Sequence, residues 1–304
     1  MQKIIPNIWN RRQAEGAGEF YAKAFTGASS RIESRYPETG LLDFQRDFAG
    51  EALTVGVDIP DPLGEKFHLS LINAGEEFSP NPSISFMLNY DPVLFGSASA
   101  AQERLESTWA ALGAGGKVLM SLGAYPFSAL YGWVEDRYGV SWQLALGDGT
   151  GEARPYVMPV IMFGGDAQNR AAEALSFYSS AFDDAQQGAK FTYGAATGPA
   201  TADALMFAEL RVGEQWFAVM DSGVEQDFSF TCGVSFEVQC ADQAEIDRLW
   251  NVLSAAPEAE QCGWLADKFG VSWQIVPTNM VELMSHEGAF ERMLDMKKLV
   301  IADL

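Results

Sequence analysis

The residues of this chain best suited to chemistry come in pairs. Gly132-Trp-Val-Glu-Asp-Arg-Tyr-Gly-Val-Ser-Trp-Gln143 recurs as Gly263-Trp-Leu-Ala-Asp-Lys-Phe-Gly-Val-Ser-Trp-Gln274. Each copy reads as a strand, a tight Asp-(Arg/Lys)-aromatic-Gly turn and a second strand in which apolar residues alternate around Trp and Gln. An amide in an otherwise apolar strand needs partners and can orient one polar atom of a guest, while indole faces can hold its flat side. Trp264, Trp273 and Gln274, with Trp133 and Gln143 in the other copy, are therefore the expected ligand contacts. The second copy is expected to hold the working site. It is shortened after Leu253, which should open that end of its sheet, and its cysteines and Met-rich tail offer adaptable lining. Asp136 and Asp267 read as turn formers, since an Asp opening a turn bonds its own backbone two residues on.

Other chemistries find little support. The two histidines, His68 and His286, lie in different copies, so a His-rich zinc-type centre is not expected in either. The three cysteines, Cys232, Cys240 and Cys262, form no C-x-x-C pair and read as buried, reduced thiols of a cytoplasmic protein. No glycine-rich loop has the form that cradles a dinucleotide or a nucleoside triphosphate, and Ser141 and Ser272 alternate with Trp inside strands instead of occupying a nucleophile elbow. The expectation is no metal and no cofactor.

The elements that must position these residues also repeat. Ile4 to Trp9 reads as a strand, and Ala17, Phe20, Tyr21, Ala24 and Phe25 follow at helical spacing up to Gly27. A weak strand is expected at Ser30 to Tyr36, then Leu53 to Ile59, Phe67 to Ile72 and Ser83 to Asn89, a helix facing inward through Leu105, Trp109 and Leu112, a strand from Lys117 to Leu122, and the closing hairpin. Pro159, Phe177-Tyr178, Gly213-Glu214, Val234-Ser-Phe236 and the helix of Ile246, Leu249, Trp250 and Leu253 repeat the order. Between Leu253 and Gly263 there is no room for a partner to Lys117 to Leu122. Gly147 to Pro155 is polar and glycine-rich, as a linker should be, and divides the chain into domains 1–150 and 151–304. Beyond Pro277 the chain is unmatched. Asn279 could cap a short helix with Glu282, and Phe290 to Ile301 is amphipathic and must dock, either on its own domain or on a second copy in a homodimer.

Composition narrows the partners. The chain has 304 residues, 48% of them apolar, which suits two packed domains. With 41 acidic against 20 basic residues its formal charge is −21, a field that repels nucleic acid and anionic lipid surfaces. No stretch approaches the roughly 20 apolar residues of a membrane span, and the N-terminus lacks a signal-peptide core.

Pro6/Pro159 in the first strand, Phe-Tyr before Ala-Phe, the Gly-Glu hairpin, Ser-Phe in the next strand and the G-W-x-x-D-(R/K)-(Y/F)-G-V-S-W-Q motif together resemble the PhnB-like, "3-demethylubiquinone-9 3-methyltransferase" family of the vicinal oxygen chelate superfamily, with glyoxalase and bleomycin-resistance proteins as distant relatives. The resemblance covers both halves and implies an α+β fold of tandem βαβββ modules, paired within each domain into a curved mixed sheet around a pocket. It also implies a metal held on four strands. Carried over, its ligand positions fall at Pro6 and Pro159, at about Ser83 and Gly233, and at Gln143 and Gln274, of which only Gln is a plausible donor. The expected function is therefore metal-free binding of a small apolar or aromatic molecule. The alternatives are an enzyme, either the methyltransferase of the family description or a metal-dependent lyase or dioxygenase using carboxylates such as Glu237 and Asp221, and a structural protein whose pockets are filled by side chains.

Overall fold

The computed structural model describes residues 2–150 and 152–304, so Met1 and the linker's Gly151 lie outside the described residues. Four modules follow one another. The first is β1 (Ile4–Arg11), α1 (Ala14–Ala24), β2 (Ser29–Arg35), β3 (Ala52–Pro60) and β4 (Lys66–Ala74). The second is β5 (Ile84–Tyr90), α2 (Pro92–Phe95), α3 (Ala98–Gly113), β6 (Lys117–Tyr125), β7 (Ser128–Glu135) and β8 (Ser141–Leu146). The third is β9 (Val157–Phe163), α4 (Ala171–Ala181), β10 (Ala185–Thr192), β11 (Leu205–Val212) and β12 (Gln215–Asp221), and the fourth is β13 (Val234–Cys240), α5 (Gln243–Leu253), β14 (Trp264–Ala266) and β15 (Ser272–Pro277). The fourth module has no counterpart of β6 among the described residues, as the short spacing after Leu253 requires.

The sheets do not follow the repeats. The first sheet runs β14-β15-β13-β1-β4-β3-β2 and the second β10-β11-β12-β9-β5-β8-β7-β6. Each therefore joins an opening module of one repeat to a closing module of the other, which corrects the expectation that the modules of one repeat pair with each other. The reason lies in the edges. β1 and β5 each terminate their own module, and an unpaired strand that apolar must be covered. β1 takes β13, antiparallel, with Pro6 opposite Phe236, and β5 takes β9 in the same way, with Pro159 opposite Phe86. The connections 75–83 and 222–233 cross between the sheets and touch each other, Asn81 Nδ2 donating to the Ser229 carbonyl at 3.0 Å.

Both sheets share one core. Ile4, Ile8, Leu69 and Phe236 of the first sheet cluster with Phe86, Trp142, Ile161 and Phe217 of the second. Helical stripes complete it: Ala17 and Tyr21 on α1, Leu105 and Leu112 on α3, Leu175 and Tyr178 on α4, and Ile246, Leu249 and Leu253 on α5. Because strand side chains alternate, each sheet is left with an outer face turned away from this core.

The tail departs from the sequence expectation in three respects. Asn279 precedes α6 (Met280–Leu283) without a side-chain capping bond. The following helix, α7 (Ala289–Leu294), ends well short of Ile301. Beyond it the chain runs irregularly into a 3-10 turn at Ile301–Asp303, the amides of Cys262 and Gly263 donating to the carbonyls of Met296 and Lys297 at 2.8 and 2.7 Å, with Leu299 wholly buried. The tail thus docks on its own chain beside β14, where β6 lies beside β7 in the first repeat, so the shortened edge is covered and not open.

Because neither repeat completes a sheet alone, fragments 1–150 and 151–304 produced together should copurify and show one cooperative unfolding transition, whereas either alone should not be a folded monomer. Independent cooperative unfolding of both monomeric fragments in separate scans would contradict this pairing.

Candidate functional site

The repeated motif divides its residues between two faces. In each hairpin turn, a glycine with positive φ, Gly139 or Gly270, lets the chain reverse. Asp136 Oδ1 accepts from the amides of Tyr138 and Val140 at 2.8 and 3.1 Å, and Asp267 Oδ1 accepts from Phe269 and Val271 at the same distances. The other oxygen reaches into the core. Asp136 Oδ2 accepts from Tyr21 Oη and Trp142 Nε1, both at 2.8 Å, and Asp267 Oδ2 from Tyr178 Oη and Trp273 Nε1 at 2.7 and 2.9 Å. The turn-forming role expected for this pair is thus half of its work. Burial pushes both carboxyls above the ordinary range, Asp136 to about 6, against these four donors.

Trp273 is accordingly a core residue, 2% exposed and packed on Tyr178, Phe182 and Phe236. It faces away from Gln274, which corrects its expected place beside a ligand. Gln274 pairs across strands with Trp264, as Gln143 does with Trp133, so these two pairs do stand together on outer faces.

The two outer faces differ in chemistry. On the second sheet Met158, Val160 and Ala218 are buried together, with Met87, Phe207, Trp216 and Met220 packed against them. Gln143 is satisfied internally: Nε2 donates to Ser85 Oγ at 2.9 Å, and Oε1 accepts from Tyr131 Oη at 2.7 Å. Trp133 Nε1 donates to Ser141 Oγ at 2.6 Å. The linker's Arg154 closes this face, pairing with both oxygens of Glu209 at 2.7 and 3.1 Å and lying 4.5 Å over the Trp216 ring.

On the first sheet the corresponding positions are polar. Asn7 stands where the other sheet has Val160, Ser70 where it has Ala218, His68 where it has Trp216 and Glu237 where it has Met87. Glu237 accepts from Asn7 Nδ2 and Gln239 Nε2, both at a long 3.3 Å, and has no ion-pair partner among the described residues. Burial pushes its carboxyl up, against those two hydrogen bonds. Beside it, Gln274 Nε2 donates to Ser235 Oγ at 3.0 Å, and no partner for its Oε1 occurs among the described residues. His68 lies between Asp58, at 2.8 Å from Nδ1, and Glu33, at 3.5 Å from Nε2. Burial would lower its pKa, but the two carboxylates outweigh that and raise it. Trp264 and Trp9 meet edge-to-face, 6.4 Å apart.

These positions also re-index the metal ligands that the resemblance implied. Pro6 and Pro159 lie on the core-facing register with Ile4 and Ile161, while Ser83 and Gly233 precede β5 and β13. The outer-face residues at that level are Asn7, Ser70, Glu237 and Gln274, a set with one charged donor and three neutral ones. No group of three or more His, Cys, Asp or Glu side chains is placed to hold a metal ion among the described residues. This donor set does not fit the superfamily's metal.

The sequence model for 3-demethylubiquinone-9 3-methyltransferase matches residues 2–145 and again 155–276. The chain belongs to this family. Its PhnB relative from Bacillus cereus is 28% identical over 48% of this chain and 100% of its own, with a TM-score of 0.38. A glyoxalase I point mutant from Zea mays is 11% identical, covers 93% of this chain and 97% of its own, and has a TM-score of 0.50, a likeness of fold. No curated protein matches the chain.

The motif alone does not point to Asn7 and Ser70, which lie in the first module, and Glu237 entered only as an alternative metal ligand. A signal existed, because each is polar where its counterpart in the other repeat is apolar.

Trp273→Ala should cost roughly 3–5 kcal/mol of unfolding free energy, as truncation of a buried aromatic does; a loss under about 1 kcal/mol would remove it from the core. Asp136→Asn should cost about 2–4 kcal/mol at neutral pH. Because the folded carboxyl titrates above its unfolded value of about 3.9, the folded chain holds the extra proton between about pH 4 and 6, and this group's contribution to stability falls as pH rises through that window. Denaturant titrations should therefore show the wild-type advantage over Asp136→Asn narrowing from pH 4 to 6. An advantage that widens would mean the four donors outweigh burial.

Proposed function

We propose that the chain binds a small molecule on the outer face of the first sheet, and that the second sheet's face is packing. The observation that carries this reading is the pair of adjacent acceptors, the Glu237 carboxylate and Gln274 Oε1, set in a sheltered strip that lacks a compensating cation at ion-pair distance. Acceptors held in this way suit a donor group that brings positive charge, such as an amine or amidinium. The indoles of Trp264 and Trp9, at the same end of the strip, suit a flat or aromatic body. The expected aromatic guest is thus refined to one with a cationic end. Gln143 has the same place in the second sheet, but Tyr131 and Ser85 already use both ends of its amide.

The reading involves no metal. It also involves no methyl transfer, because the chain carries no glycine-rich strand-to-helix loop of the kind that usually holds S-adenosylmethionine. Three free cysteines and strong negative charge suit a reducing, cytoplasmic setting. No helix among the described residues is long and apolar enough to cross a membrane.

Benzamidine and benzoate, equal in shape and opposite in charge, test the proposal by calorimetry. Benzamidine should bind and benzoate should not. Glu237→Gln and Gln274→Leu should each weaken benzamidine binding by about 1–3 kcal/mol, and Gln143→Leu should leave it unchanged. Equal binding of both probes, or sensitivity only to Gln143→Leu, would overturn it.

A further inference from the structure

The two repeats differ at one more corner, where the C-terminal end of the opening strand meets the motif turn. In the second repeat the corner is closed. Phe163 packs on Phe230 and Phe269 at 5.0 and 5.6 Å, and the cations Arg170 and Lys268 share Glu173 at 3.2 and 2.7 Å. In the first repeat the same positions carry Asn10 for Phe163, Gly16 for Glu173 and Arg137 for Lys268. A cleft of about 540 Å³ opens there, a size that suits a small metabolite.

The lining of this cleft runs against the charge of the whole molecule. Arg11 at the end of β1, Lys117 at the start of β6 and Arg137 in the β7–β8 turn all face it, and none has an ion-pair partner among the described residues. Arg137 is held in place. Its Nε and Nη2 both donate to the Ala114 carbonyl, at 3.0 and 2.6 Å, and its guanidinium lies 5.0 Å over the Phe20 ring, leaving Nη1 uncommitted. Asn10, only 4% exposed, spends Nδ2 on the Ile8 carbonyl at 3.0 Å, and no partner for its Oδ1 occurs among the described residues. Glu135 also lines the cleft and opposes the cations; Asp136 lines it too, but its carboxylate oxygens are engaged by the turn and the core.

We infer that this cleft is a second binding site, specific for a small organic phosphate monoester. Cations from three elements suit a dianion with three terminal oxygens better than a planar carboxylate, which one guanidinium can satisfy. The site shares only Trp9 with the strip around Glu237 and Gln274, so the inference stands or falls separately from the proposed function.

Phosphorus NMR and calorimetry with inorganic phosphate and glycerol phosphate test it, with glycerol as the neutral control. Both phosphates should bind saturably and glycerol should not, and affinity should fall as salt rises. Lys117→Gln and Arg137→Gln should each weaken phosphate binding roughly tenfold, and Glu135→Gln should strengthen it a few-fold. Lys268→Gln, at the corresponding place in the closed corner, should have no effect. Lys117 and Glu135 lie on the surface hairpin of β6 and β7, so those variants remain informative if Arg137→Gln folds poorly. The inference is overturned if neither phosphate saturates below about 10 mM, or if Lys117→Gln binds as tightly as the wild type.

Discussion

The fold depends on two buried carboxylates. Asp136 and Asp267 each receive four hydrogen bonds, two from the turn they open, one from the indole of the closing strand and one from a helical tyrosine. The tyrosine is the informative partner. Tyr21 belongs to the module that builds the first sheet and Asp136 to the module that builds the second, while Tyr178 and Asp267 make the reverse connection. Each repeat is thereby pinned across both sheets through its helix, and each sheet is completed by the other repeat. Removing a carboxylate would leave a phenol, an indole and two amides buried together without an acceptor, so these residues are conditions of the architecture and unavailable for chemistry on a substrate.

With the core requirements met on the inner faces, the outer faces were free to diverge. The second sheet filled its face with Met, Val, Phe and Trp, covered Trp216 with Arg154 and closed Gln143 into a chain of hydrogen bonds. The first sheet placed Asn7, Ser70, His68 and Glu237 at the matching positions and left one end of the Gln274 amide without a partner. Of the two outer faces, only this one carries a carboxylate without an ion-pair partner beside an amide oxygen without a hydrogen-bond partner among the described residues, and polar groups so placed are costly unless something pairs with them. The second repeat's motif does contribute to the candidate site, but through Trp264 and Gln274 and not Trp273.

Much of this was legible in the sequence and some was not. Strands, helices, the linker and the missing sixth strand of the second repeat follow from local periodicity and turn residues, which short-range sterics dictate. The family and fold followed from the repeated motif together with Pro6/Pro159 and the Ser-Phe strand. The pairing of β1 with β13 was not legible, because an apolar edge strand states that it needs a partner without naming which one. Pairing within a repeat would set Glu237 in the same sheet as Asp221, which lies in the other one, and the position carried over from the superfamily falls on Pro6, one residue before the outward-facing Asn7. The tail differs for a related reason: Phe290 to Ile301 is amphipathic, but the amides of Cys262 and Gly263 take the carbonyls of Met296 and Lys297, and its second half lies as an irregular strap.

The central proposal is that a small aromatic cation is recognised on the polar outer face of the first sheet and not on the apolar outer face of the second. Amide NMR of the isotopically labelled chain titrated with benzamidine tests it most directly. The account predicts shifts concentrated on β1, β4, β13 and β15, around Asn7, Ser70, Glu237 and Gln274, with β5, β8, β9 and β12 unmoved. Shifts centred on Met87, Gln143 and Val160 would contradict it.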